Sequence, residues 1–170
     1  MLTKIRTNFN KVNVASKILL VVAYVLAMWK EFAAVLTAYL GNAQWVMVLF
    51  GCSISGAVVA VIAHFIAKLY LRMTRLHTVP VREFSLFSTL AYTLYYVLLA
   101  LLNLIILVAP TFLVWGSVIF PVVSALASGA AFYLVTSKLY FNDVTRAYYF
   151  KTMAIFVIAL TVMAGGILTV

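Results

Sequence analysis

Residues 45–69 read WVMVLFGCSISGAVVAVIAHFIAKL, and residues 70–83 read YLRMTRLHTVPVRE. The first stretch has no Lys, Arg, Asp or Glu before Lys68; the second carries Arg72, Arg75, Arg82 and Glu83. A continuous apolar run of this kind suits a membrane span, because crossing the hydrocarbon core takes about 20 apolar residues. The sudden basic cluster marks where such a helix leaves the bilayer. The same alternation runs along the whole chain. Ile18–Leu40, Trp45–Leu69, Phe84–Val108, Phe112–Val135 and Phe150–Val170 are nearly uncharged. Three junctions hold Lys4/Arg6/Lys11/Lys17, Lys68/Arg72/Arg75/Arg82 and Lys138/Arg146/Lys151, while Gly41–Gln44 and Ala109–Thr111 hold no charge.

The expected fold is all-α: a polytopic bundle of five transmembrane helices forming one integral membrane domain over residues 1–170. Barrel strands alternate polar and apolar over about ten residues, whereas these runs are continuously apolar. Composition agrees. The chain is 67% hydrophobic and 9% charged, with a mean hydropathy of +1.19. A soluble domain is about 45–50% apolar and about 25% charged, so the bilayer must serve as solvent. Charge bias in short loops places the N-terminus and the second–third and fourth–fifth loops in the cytoplasm, with the C-terminus outside. That is the topology of a multi-pass protein of a cell membrane, here of the bacterial plasma-membrane type. The first apolar run is followed by Trp29-Lys30-Glu31 rather than by a small-residue cleavage site, so it reads as a retained span.

The net charge of +9 is accounted for at span ends and does not indicate a nucleic-acid partner. The partners it does predict are anionic lipid headgroups at the cytoplasmic face, at roughly 1 kcal/mol per well-placed Lys or Arg. A single cysteine, Cys52, excludes an intrachain disulfide and a Cys-based metal site. Helix punctuation falls where the spans require it. Gly41-Asn42 closes the first span, Pro80 and Pro110 lie at junctions, and Asn142-Asp143 can cap the fifth helix. Pro121 lies inside the fourth span and predicts a kink. Trp45, Trp115, Tyr39, Tyr70, Tyr140, Tyr148 and Tyr149 flank span ends as an aromatic belt, and Trp29 is the exception.

Four constellations stand out. Lys30-Glu31 falls near the middle of Ile18–Leu40, and a charge at bilayer centre costs about 2.5–3.5 kcal/mol on insertion scales. It is either a buried polar site or, if the first helix begins early or tilts, a pair near an interface or a partner subunit. Gly56, Ala60, His64, Lys68 and Arg72 follow at four-residue spacing on the second span. The small residues allow close helix approach, Lys68 can snorkel, and His64 is either a packing histidine or a proton-handling group. Ser85, Ser88/Thr89, Tyr92, Tyr96, Ala100 and Asn103 trace a polar stripe on the third span. Such a stripe either bonds between helices or lines a cavity. Ser124, Ser128 and Gly129 mark a small-residue packing face on the fourth, and Arg82-Glu83 reads as a surface pair.

Catalytic signals are missing. The only acids, Glu31, Glu83 and Asp143, lie on three different segments. Protease, hydrolase and nucleotide-binding motifs do not occur. Cys52 and His64 stand about 18 Å apart along one helix, too far for a nucleophile and its base. No enzyme activity, cofactor or metal is expected.

Residues 58–69 (VVAVIAHFIAKL), the basic loop after them, 84–93 (FSLFSTLAYT) and 98–104 (LLALLNL) resemble the core of bacterial members of the Yip (Ypt-interacting protein) domain family. The likeness lies in a His-x-x-x-Lys helix end, a Phe-rich start and an Ala-Tyr step. The chain departs from that pattern at Tyr70-Leu71-Arg72, where a glycine pair is expected, and at Tyr95-Tyr96, where no proline follows Tyr92. The resemblance implies a non-enzymatic membrane scaffold, whose eukaryotic relatives contact small GTPases. It transfers only His64, Lys68 and Tyr92 as positions of interest. The leading expectation is a non-catalytic protein acting through helix–helix contacts, as accessory subunit, assembly factor or regulator of a membrane complex, with a membrane-protein partner or a homo-oligomer. The alternative is a small-solute transporter or channel component using Lys30, Glu31, His64, Tyr92, Tyr96 and Asn103.

Overall fold

The computed structural model describes residues 9–42, 44–73 and 80–140. The fifth apolar run, the Asn142-Asp143 cap and the Asp143 and Arg146 charges lie outside them. So do Lys4, Arg6, Arg75, Lys151, Tyr148 and Tyr149. The described chain is all-α: α1 (Phe9–Leu40), α2 (Trp45–Met73), α3 (Val81–Val108), a 3-10 turn (Pro110–Phe112) and α4 (Leu113–Tyr140). Four helices are long and apolar enough to cross a membrane, and the protein is a multi-pass membrane protein.

α1 begins at Phe9, well before the apolar run at Ile18. Its 32 residues extend about 48 Å, against a hydrocarbon core of about 30 Å. Apolarity marks what the bilayer must cover; the hydrogen-bonded helix continues through Lys11 and Lys17, both exposed. α2 likewise runs past Leu69 to Met73, and α4 past Val135 to Tyr140. Pro121 lies inside α4 without ending it.

Gly41 closes α1 in the left-handed conformation (φ 71°), and its N–H donates to Thr37 O at 3.0 Å. The short connections after α1 and α3 make antiparallel neighbours. α3 is the central helix and packs against α1, α2 and α4. Tyr24, Ala63, Phe84, Tyr92, Tyr96 and Ala125 form part of the interior. Outward, Val46, Phe50 and Phe65 are 78%, 68% and 62% exposed. An apolar surface of that kind belongs in lipid.

The register decides where the polar groups stand. α1 and α3 run parallel, and Asn103 Nδ2 donates to Ala27 O at 3.3 Å. Val108, where α3 ends, is therefore about level with Phe32. On α2, Gly51 lies directly against the Phe32 ring. The last two turns of α1 thus overhang the rest of the bundle at that end. At the opposite end stand Lys11, Lys17, Lys68, Arg72, Arg82 and Lys138, all exposed. Among the described residues Lys30 is the one Lys or Arg away from this basic end.

Candidate functional site

The start of α1, the last third of α2 and the start of α3 meet at the basic end. Pro80 leads into α3 with φ −63° and gives no side-chain cap, and Glu83 lies in the first turn. One turn in, Ser85 Oγ and His64 Nδ1 are hydrogen-bonded at 2.6 Å. Around that pair opens a cavity of about 420 Å³, lined by Asn10, Asn13, Lys17, His64, Arg82 and Ser85 with Phe9. A second cavity, of about 480 Å³, shares Lys17 and His64 with it and runs up the α1–α2 seam past Ile18, Val22, Ala57 and Val61. Gly56 holds that seam tight: a Cβ there would lie 3.3 Å from Val21 Cα and 3.4 Å from Tyr24 Cβ. Ala60, one turn on, is buried. Lys68 is exposed and lines a separate surface cleft of about 290 Å³ with Phe65 and Arg72. Glu83 is turned inward and buried, while Arg82 stays exposed.

Most of the α3 stripe faces inward. Ser85, Ser88, Thr89, Tyr92 and Tyr96 are buried, and Asn103 is half-buried. Ser88 Oγ donates across to Ala63 O at 3.2 Å. Thr89 and Thr93 return their hydroxyls to the carbonyls of Ser85 and Thr89, both at 2.9 Å. The tyrosines interlock: Tyr96 lies edge-on to Tyr24 and to Tyr95, each with centroids 4.9 Å apart. The Tyr24 and Tyr95 hydroxyls and Ser124 Oγ are buried with no hydrogen-bond partner among the described residues. On α4, Ser128 Oγ donates to Ser124 O at 2.8 Å, and Gly129 is buried beside it.

Lys30-Glu31 stands near the overhanging end, not at the centre of the bundle. Trp29 packs on Trp45, the first residue of α2, at 5.6 Å. Lys30 Nζ sits 5.7 Å from the Trp29 ring centroid. Glu31 is half-buried, and its Oε2 has no hydrogen-bond partner among the described residues. Lys30, Glu31, Tyr92, Tyr96 and Asn103 line neither the two seam cavities nor the Lys68 cleft. They are also absent from a fourth cavity of about 290 Å³ between α3 and α4. Of the residues singled out in the sequence constellations, His64, Ser85 and Arg82 line the basic pocket.

Asn10, Asn13 and Lys17 were not visible as site residues, because they precede the apolar run and read as a solvated flank. Tyr95 escaped because it lies off the stripe traced by Tyr92 and Tyr96. No group of three or more His, Cys, Asp or Glu side chains among the described residues is placed to hold a metal ion. Compared with known proteins, the chain matches no family model, no curated sequence and no solved structure.

Proposed function

We propose that this is a non-catalytic integral membrane protein that acts through helix–helix contacts, as accessory subunit, assembly factor or regulator of a larger membrane complex. One observation carries the reading. Much of the polar stripe on α3 is taken up in packing: Ser88 and Asn103 bond to carbonyls of neighbouring helices, and Thr89 and Thr93 to their own. The overhanging end of α1 adds a surface for a partner. There Tyr39 and Leu40 are 72% and 62% exposed, about two turns beyond Glu31, whose Oε2 has no hydrogen-bond partner among the described residues. An unpaired buried carboxylate near a membrane is expensive, and contact with another subunit, or with a second copy, would let Glu31 turn toward a donor there. The basic end faces the cytoplasm of a bacterial cell in this reading, with a fifth span at Phe150–Val170. The resemblance of residues 58–104 to bacterial Yip-domain proteins belongs to the same proposal.

Glu31→Gln tests it. The expected outcome is reduced recovery of the co-purifying partner, or of the homo-oligomer, in mild detergent, while the melting temperature of the isolated chain is unchanged or raised. Unchanged assembly together with lost solute flux would overturn the reading. The second reading, a small-solute transporter, draws on the unpartnered hydroxyls of Tyr24, Tyr95 and Ser124, which a small polar solute could engage.

A further inference from the structure

We propose that the polar pocket at the basic end and the apolar groove beside it form one binding site for an anionic glycerophospholipid, phosphate below and acyl chain above. The two cavities are contiguous through Lys17 and His64, which line both. The lower one places two permanent cations, Lys17 and Arg82, beside the amides of Asn10 and Asn13 and the His64–Ser85 pair. Phosphate recognition asks for this set: cations for charge, and amide and hydroxyl groups for the remaining oxygens. Among the described residues neither cavity is lined by Asp or Glu, and Glu83, between Arg82 and Ser85 in sequence, is turned inward and buried.

The upper cavity has the opposite chemistry. Apart from Lys17 and His64, it is lined by Ile18, Val21, Val22, Ala57, Ala60 and Val61. Small residues on α2 leave a furrow on the lipid-facing side of the seam, while Gly56 keeps its floor closed. A soluble phosphate compound would use the pocket and leave the furrow empty. A neutral lipid would use the furrow and leave two cations unmatched. A molecule with an anionic head and an alkyl tail uses both. Lys17 suits the boundary, since its aliphatic stem can lie along the furrow while the ammonium reaches the pocket.

The test uses the full chain purified in a neutral maltoside detergent, titrated with dioleoyl phosphatidylglycerol and read by native mass spectrometry. One lipid per chain should be retained, with dioleoyl phosphatidylcholine bound at least tenfold more weakly. Glycerol 3-phosphate, the headgroup chemistry without chains, should not displace it. Lys17→Gln with Arg82→Gln alters two exposed side chains and should weaken binding about 30-fold, at about fivefold per cation. Ala57→Phe fills the furrow at an exposed position and should weaken binding with the cations intact; Ala57→Leu is the milder filling if helix content falls. Wild-type affinity in the double variant, or in a folded Ala57 variant, would overturn the proposal. So would equal retention of phosphatidylcholine. Full displacement by glycerol 3-phosphate would overturn it in favour of a soluble anion.

Discussion

Polar groups meet opposite circumstances at the two ends of the α1–α2 seam. At the basic end, Lys17 and His64 open onto a cavity, and the imidazole already has Ser85 as partner. At the other end, Glu31 is half-buried with one oxygen unpartnered among the described residues, and Lys30 has an indole face rather than an anion beneath it. The first end has space and donors enough for a ligand. The second has an unmet charge and a protruding apolar helix, which suits another protein. Between them, the Ser88, Thr89 and Thr93 hydroxyls of α3 bond to helix carbonyls, while that of Tyr95 has no partner among the described residues. The difference teaches that polarity inside a membrane bundle has no single meaning: a hydroxyl can donate to a carbonyl of its own helix, whereas an ionised carboxylate has no proton to donate.

Breaking the middle of the seam should do most harm. Tyr96 is 1% exposed and touches both Tyr24 and Tyr95, so Tyr96→Ala should remove about 3–5 kcal/mol of stability, read as the largest fall in melting temperature. Survival of the wild-type transition would show that the tyrosine cluster does not join the two ends. Gly56→Leu comes next. A side chain forced against the Val21 backbone should cost about 1–3 kcal/mol and part α1 from α2. Wild-type stability in that variant would show that the close approach is not a packing constraint. The smallest effect belongs to Ser85→Ala. Losing the bond to His64 should cost roughly 0.6 kcal/mol and leave assembly intact. A loss of partner binding in Ser85→Ala would erase the contrast, because the basic end would then serve the interface as well.

Much of the fold is legible in the sequence, for a physical reason. The bilayer demands long apolar runs and tolerates charge only at their ends, so α2 and α3 can be placed from composition and the glycine or proline beside them. The start of α1 is not legible, because Lys11, Asn13 and Lys17 are as compatible with helix in water as with loop. The burial of Tyr95 and Thr93 is hidden too. Helix periodicity separates a wet face from a dry one, and α3 has no wet face, being packed on three helices. The Lys30-Glu31 step is visible as an anomaly, but its depth depends on the register of Asn103 with Ala27, a long-range fact. The same holds for the meeting of His64 with Ser85.

The account rests on all peripheral cations sharing one side of the membrane. Single cysteines at Lys17, Arg82, Lys138 and Tyr39, each in a Cys52→Ser background so that the introduced thiol is the one cysteine present, can be probed on intact cells with a membrane-impermeant maleimide. Tyr39→Cys should react from outside, and the other three only once the membrane is opened. Arg82→Cys and Lys138→Cys reacting from opposite sides would contradict the account.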